Sequence, residues 1–93
     1  MKFMLTFVWK PEIKARDEAI NRFKKTGGQP PKGAKLLGRW TRADFNGGYD
    51  LLESDDAKAI AEFAYMWSDL MDLTIVPVLE DEALTEVLQR VAK

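Results

Sequence analysis

The residue types most able to take part in chemistry are concentrated in two neighbouring segments, Arg39–Arg42 and Tyr49–Glu53. An arginine beside a tryptophan can hold an anionic or carbonyl-bearing ligand, because the guanidinium offers a rigid fork of donors and the indole an apolar wall. Opposite charges on paired strands can instead form an ion pair that fixes the register of the two strands. Both interpretations of Arg39 and Trp40 stay open at the level of the sequence.

The two segments are expected to pair as an antiparallel hairpin, so that charged side chains meet across the strands. Because side chains alternate between the two faces of a strand, Arg39 and Trp40 are expected on opposite faces. An arginine–carboxylate pair is therefore expected in this hairpin. The pairings that we consider are Arg39 with Glu53, and Arg42 with Asp44 or Asp50.

Three tryptophans, Trp9, Trp40 and Trp67, form a second group of candidate site residues. The pattern places them on the first strand, the second strand and the second helix. Residues on these elements can line a ligand cavity between a sheet and its helices. Large aromatic side chains also dominate protein cores and interfaces, so simple packing is the alternative interpretation.

The chain contains no cysteine and no histidine. Disulfides, thiolate catalysis, cysteine metal sites, His-ligated haem and a histidine general base are therefore excluded within it. We expect neither a cofactor nor a metal site. Acid–base chemistry would fall to carboxylates, lysines or tyrosines. Among the carboxylates, Asp72 lies early in an apolar segment, where burial would favour its protonated form and suit it to proton transfer; an exposed strand end would leave it no such role. The candidate ligand-binding residues are Trp9, Arg39, Trp40, Tyr49, Glu53, Trp67 and Asp72.

The composition is that of one folded domain over residues 1–93, with 46% hydrophobic and 31% charged residues. Residues 1–42 carry 11 Lys/Arg against 3 Asp/Glu, whereas residues 43–93 carry 3 against 12. The basic part suggests a face for nucleic acid or an anionic ligand. We favour two oppositely charged halves that complement each other within the fold or across a dimer. No motif of stacking aromatics supports nucleic acid as a partner.

The apolar start of the chain, Phe3–Trp9, is too short for a signal-peptide core and lacks a small-residue cleavage site. No segment is long enough to cross a membrane. A cytoplasmic protein without a membrane partner is therefore expected.

Hydrophobic periodicity predicts four strands and three helices. The predicted strands cover residues 2–9, 35–42, 48–53 and 71–79, and the first two helices residues 12–26 and 55–69. A last helix begins at Asp81 and ends with Arg90 and Lys93, which suits the helix dipole. The stretch 27–33 is a stiff glycine- and proline-rich loop.

Several residues indicate where these elements begin, end and pack. Ile13 is expected on the buried stripe of the first helix, and Gly27 is expected to end that helix in a left-handed conformation. Ser54 or Asp55 is expected to cap the second helix. The pair Asn46-Gly47 predicts a tight hairpin turn, since both residue types tolerate positive φ. Pro77 cannot donate to a sheet and indicates an edge strand or a bulge.

The order β-α-β-β-α-β plus a C-terminal helix predicts an α+β, ferredoxin-like domain with a four-stranded antiparallel sheet. Its helices would cover one sheet face only. The other face is apolar, through residues such as Met4, Val8 and Val76, and the second helix is apolar on more than one side. Pairing of two sheets into a dimeric α/β barrel would cover these surfaces, so we predict a homodimer.

Four stretches carry a resemblance to a known family: the hairpin Leu37–Glu53, the loop Gly27–Gly33 and the runs Trp67–Leu70 and Val76–Glu82. Together they resemble a small bacterial family, the domain of unknown function numbered 3303, which is grouped with the dimeric α/β-barrel superfamily. The wider superfamily includes cofactor-free monooxygenases, haem-degrading enzymes, isomerases, and ligand-binding or stress proteins. The resemblance thus implies a fold but selects no activity.

The leading functional hypothesis is a dimeric domain that binds a small apolar or aromatic molecule. The first alternative is a cofactor-independent enzyme, such as a monooxygenase or isomerase acting on an aromatic or polyketide-like substrate. The second alternative is a structural or regulatory module that binds another protein through its apolar sheet face.

Overall fold

The computed structural model describes residues 1–92, which form four strands and three helices. In chain order they are β1 Lys2–Trp9, α1 Ala15–Thr26, β2 Ala34–Thr41, β3 Gly47–Ser54, α2 Ala57–Trp67, β4 Met71–Val78 and α3 Asp81–Val91. The α+β class and the βαββαβ order followed by a C-terminal helix are confirmed, and the architecture is consistent with a ferredoxin-like fold. The predicted helix end at Lys93 lies outside the described residues.

The strands form one antiparallel sheet in the order β2-β3-β1-β4. β1 is a central strand, which explains why its residues are apolar on both sides. β4 is an edge strand, so it has a neighbouring strand on one side only. Pro77, which has no N–H to donate to a ladder, is tolerated in such a strand. The prediction of an edge or a bulge at this proline is confirmed.

α1 is shorter than the sequence predicted, because the helix begins at Ala15 rather than at residue 12. Ile13 consequently lies in a turn before the helix and is 95% exposed, so its predicted burial is wrong. Ala15 and Ala19 are the buried residues of the helix. Gly27 ends it as predicted, with φ of 73° and its N–H bonded to the carbonyl of Phe23.

The N-cap of α2 lies one to two residues after the predicted cap. Its N-cap is Asp56, whose carboxylate accepts the N–H of Lys58, rather than Ser54 or Asp55. Ser54 instead stabilises the turn before the helix, because its hydroxyl accepts the N–H of Asp56 and donates to the carbonyl of Gly33. These hydrogen bonds hold the start of α2 close to the start of β2.

The β2–β3 hairpin is confirmed, but its turn is not the predicted tight turn at Asn46-Gly47. The chain turns between Arg42 and Gly47, with the N–H of Phe45 bonded to the carbonyl of Arg42. Phe45, with φ of 64°, is the non-glycine residue that takes the left-handed conformation. The side chain of Asp44 accepts the N–H of Asn46, which stabilises this longer turn.

β2 contains a β-bulge at Leu37 that changes which side chains face the helices. Leu36 is opposite Leu52, but beyond the bulge Gly38 is opposite Leu51 and Arg39 is opposite Asp50. The extra residue reverses the alternation, since opposed residues of antiparallel strands share a face. Arg39 therefore joins the face covered by the helices.

The hydrophobic core lies between that face and the helices α1 and α2. Leu52 is fully buried at its centre, and Leu5 and Phe7 of β1 pack beside it. Ile60 and Phe63 of α2 are the facing residues.

The opposite face of the sheet has no cover within the chain and is called the open face here. Val8, Trp40 and Val76 on it are between 37% and 55% exposed. α3 leaves the end of β4 and has no buried residue along its described length. In the described part of the chain, no helix has the length and apolar character that a membrane span requires.

Leu52→Ala is expected to lower the free energy of unfolding by about 2–5 kcal/mol, because it leaves a cavity in a site that is 0% exposed. Leu79→Ala is the matched control, since Leu79 is 65% exposed. Urea unfolding followed by tryptophan fluorescence measures both. Equal losses for the two variants would contradict the placement of the core.

Candidate functional site

A cavity of about 330 Å³ lies between the helix-covered face of the sheet and the helices α1 and α2. Most of its wall is apolar and comes from β1, β4 and the two helices. The main apolar contributors are Phe7, Ile20, Phe23, Phe63, Met71 and Leu73. Ligand cavities in proteins begin at about 300 Å³, so this volume is sufficient for a small molecule.

An ion pair between Arg39 and Asp50 forms the polar part of the wall. Arg39 donates from Nε to Oδ1 of Asp50 at 2.8 Å and from Nη2 to Oδ2 at 3.1 Å. The side chains are 21% and 5% exposed, respectively. The predicted pairing of Arg39 with Glu53 is wrong, because the hairpin register puts Glu53 opposite Lys35 on the open face.

Arg39 also holds the loop that follows α1. Its Nη2 donates to the carbonyl of Gly28 at 2.6 Å, and its Nη1 donates to that of Gly27 at 3.3 Å. The guanidinium lies over the ring of Phe23, with Cζ 5.4 Å from the ring centroid. A Cβ on Gly28 would come within 2.5 Å of Nη1, so only glycine admits the guanidinium here. One side chain thereby joins β2, β3, the loop and α1.

Trp9 positions the hairpin turn beside the cavity. Its Nε1 donates to the carbonyl of Phe45 at 2.7 Å, and its ring packs edge-on against Phe7 with centroids 5.5 Å apart. Phe45 also lines the cavity, so this hydrogen bond fixes one part of the cavity wall. The left-handed conformation of Phe45 is thus held by an interaction outside the hairpin.

Trp67 is held at the other side of the cavity by an arginine on α1. Arg22 donates to the carbonyl of Met66 at 2.8 Å and lies over the Trp67 ring, 5.2 Å from its centroid. It also makes a two-point hydrogen bond to Asp69 at 2.9 and 2.8 Å. These hydrogen bonds lower the pKa of Asp69 below its usual value and keep it ionised.

Four of the seven candidate residues lie away from the cavity. Trp40 and Tyr49 are opposite each other on the open face, 55% and 39% exposed. Glu53 is on the same face, and Asp72 is exposed there and accepts from Lys10 Nζ at 2.8 Å. That hydrogen bond raises the pKa of Lys10. The structure therefore brings Trp9, Arg39 and Trp67 together and places the other four elsewhere.

Asp50 and Phe23 are two of the cavity residues that were not among the candidates from the sequence. Asp50 was considered only as a partner of Arg42, whose carboxylate partner in the structure is Asp44. The hairpin register would have identified Asp50, but that register depends on the longer turn and the bulge. Phe23 of α1 is 46% exposed and lines the cavity.

The ionisable groups on the cavity wall are few. Besides the Arg39–Asp50 pair, only Lys24 of α1 contributes a charge. Within residues 1–92, no three Cys, His, Asp or Glu side chains lie close enough together to hold a metal ion. The cavity is thus an apolar space with one internally neutralised polar wall.

Comparison with protein-family models finds a match over residues 1–92 to the model described as "Domain of unknown function (DUF3303)". A search of curated proteins finds no match.

Arg39→Met is expected to lower the free energy of unfolding by about 3–5 kcal/mol, because it leaves the buried carboxylate of Asp50 without a partner. The double variant Arg39→Met/Asp50→Leu should be more stable than the single variant, since no unpaired charge then remains. Chemical denaturation of each variant measures these differences.

Arg42→Met serves as the control for this prediction. The side chains of Arg42 and Asp44 are 38% and 46% exposed, so the loss should be no more than about 1 kcal/mol. An Arg39→Met protein as stable as the Arg42→Met protein would contradict the structural role assigned to the buried pair.

Proposed function

The chain belongs to the DUF3303 family, whose function is unknown, and we propose that it is a small-molecule-binding domain. The observation that carries the proposal is the apolar cavity of about 330 Å³ between the sheet and the helices α1 and α2. The expected ligand is a small apolar or aromatic molecule.

The size of the cavity supports a ligand rather than imperfect packing. Protein interiors are close-packed and contain few voids larger than a water molecule. The volume of about 330 Å³ is many times that of a single water, and the exposed residues Phe23 and Phe45 lie on its wall, so the cavity opens to the surface. An apolar space this large offers water few hydrogen bonds, whereas an apolar molecule would regain the missing packing contacts.

The side chains around the cavity favour flat, apolar ligands. Phe7, Phe63 and Trp67 supply aromatic surface from β1 and α2, and Phe23 supplies it from α1. Aromatic rings pack on one another edge-on or offset, with a gain beyond simple burial. Met71 adds a flexible thioether that adapts to irregular shapes.

Binding is a better-supported proposal than catalysis. An enzyme that works by general acid–base catalysis needs an acid or base placed to exchange a proton with the substrate. Asp50 and Arg39 neutralise each other, which leaves Lys24 as the remaining ionisable group on the wall. We therefore propose a ligand-binding role for the cavity and assign it no reaction.

We further propose that two copies of the chain form a homodimer. A single chain leaves two apolar surfaces without cover: the open face, and a stripe on α3 that includes Leu84, Val87 and Leu88 at 40–54% exposure. The radius of gyration is 15.4 Å, against about 12 Å for a compact chain of this length. The described chain is thus more extended than a domain that covers its own apolar surface.

A second copy is the occupant that suits both surfaces. In a twofold pair, α3 of each chain can lie against the open face of the other, so both surfaces become buried together. Charge supports this arrangement, since α3 begins with Asp81 and Glu82 and carries Glu86 further along, while Lys35 of β2 lies on the open face. The basic first part of the chain and the acidic second part would complement each other in the same way.

Blocking the cavity should abolish ligand binding. Ile20→Trp puts a large ring into the cavity wall, so the dissociation constant for 2-methoxynaphthalene is expected to rise at least tenfold in calorimetric titrations. Ile13→Trp is the matched control on the same segment, because Ile13 is 95% exposed and lies outside the cavity. Equal affinity of the two variants would place the binding site elsewhere, and failure of apolar aromatic probes to bind the unaltered protein would contradict the proposed function.

The proposed dimer predicts a mass of about twice 10.6 kDa in light scattering at micromolar concentration. Leu88→Glu should shift the protein to the monomer, because it puts a charge into the apolar stripe of α3. Tyr65→Glu on α2 is the control and should leave the dimer intact, since Tyr65 is 81% exposed and lies on neither surface. A monomeric mass for the unaltered chain would contradict the proposal.

A further inference from the structure

Asp50 is a buried carboxylate in the wall of an otherwise apolar cavity. The residue is 3% exposed, and it faces the same space as Phe63 and Leu73. In an apolar binding site, a small number of fixed polar groups sets the orientation of the ligand and its chemical class. The hydrogen-bonding capacity that remains at this carboxylate therefore indicates what the ligand must offer.

The carboxylate is only partly occupied. Arg39 provides one hydrogen bond to each oxygen, at 2.8 and 3.1 Å, and no other donor reaches Asp50 in the part of the chain that the structure describes. A carboxylate oxygen has about two lone-pair sites. Each oxygen of Asp50 thus keeps one acceptor position, and a ligand in the cavity can donate to it.

Arg39, in contrast, is almost fully engaged. A guanidinium has five N–H groups. The Nε group and both Nη2 groups are used by Asp50 and Gly28, and one Nη1 group is used by Gly27. One donor remains on Arg39, so the Arg39–Asp50 pair offers more free acceptors than free donors.

The charge of the ligand follows from the pairing. Arg39 and Asp50 form a neutral pair, and burying an unpaired ionic group beside it would be unfavourable. Lys24 on the same wall is exposed, so water and salt screen its charge. An anionic ligand would in addition meet the carboxylate of Asp50 in a medium of low dielectric constant. A neutral ligand avoids both costs.

We propose that the cavity selects neutral, apolar ring compounds that carry a hydroxyl or N–H group and donate a hydrogen bond from it to Asp50. Phenols and indoles are the chemical class that fits. The ring occupies the apolar part of the cavity, and the donor group lies at the Arg39–Asp50 wall. This inference rests on the proposed ligand-binding function and adds the identity of the group that is recognised.

Three probes with the same ring system test the proposal on the unaltered protein. 2-Naphthol carries the donor, 2-methoxynaphthalene keeps the oxygen but lacks the donor, and 2-naphthoate is an anion at pH 7. Calorimetric titration should give 2-naphthol an affinity at least about tenfold higher than that of 2-methoxynaphthalene, as expected for a hydrogen bond to a charged group. 2-Naphthoate should bind most weakly.

A double variant tests whether Asp50 causes this preference. Arg39→Met/Asp50→Leu removes both charges together, so it avoids the unpaired buried charge that single substitutions would leave. The preference is measured as the ratio of the affinities for 2-naphthol and 2-methoxynaphthalene, and in the double variant this ratio should fall to about one, whatever the change in overall affinity. Thr41→Val, which removes a different hydroxyl from the same wall, should keep most of the preference.

The outcomes distinguish the role of Asp50 from the ligand-binding function of the cavity. Equal binding of 2-naphthol and 2-methoxynaphthalene, or tighter binding of 2-naphthoate, would overturn the role of Asp50 while the ligand-binding function stands. A preference for 2-naphthol that persists in the double variant would overturn it as well. Failure of all three probes to bind would overturn both the recognition of donors and the ligand-binding function.

Discussion

The two-point hydrogen bond between Arg39 and Asp50 is the interaction on which the arrangement of the site depends. It crosses β2 and β3 on the helix-covered face, and the same guanidinium binds the carbonyls of Gly27 and Gly28. One side chain therefore ties the two strands of the hairpin to the loop after α1. The bulge at Leu37 makes this possible, because it turns Arg39 towards the helices.

The alternation of side chains between the two faces of a strand explains why the candidate residues on the sheet divide into two groups. Trp9, Arg39 and Trp67 meet at the cavity, whereas Trp40 and its neighbour Tyr49 lie on the open face. One face of the sheet therefore lines the cavity, and the other is the apolar surface that we propose for the second copy. A ligand in the cavity and a partner on the open face would not compete, because the sheet lies between them.

The order of the elements followed from the hydrophobic pattern, and the left-handed end of α1 followed from the glycine at position 27. The errors arose where tertiary contacts outweigh local preference. Ile13 looked like part of a helical stripe, yet the helix begins after it. The partner of Arg39 required the bulge and the longer turn, and that turn depends on Phe45 in a conformation held by Trp9. Neither the bulge nor the conformation of Phe45 is indicated by the residues of its own segment.

The most direct test of the account is to locate a bound ligand by nuclear magnetic resonance. With 2-naphthol present, intermolecular nuclear Overhauser effects are expected to the methyl groups of Ile20, Met71 and Leu73, which line the cavity. Val8 and Val76, on the open face, should show none. Effects to the two valines instead of the cavity methyl groups would contradict the account, since the ligand would then occupy the surface assigned to the second copy.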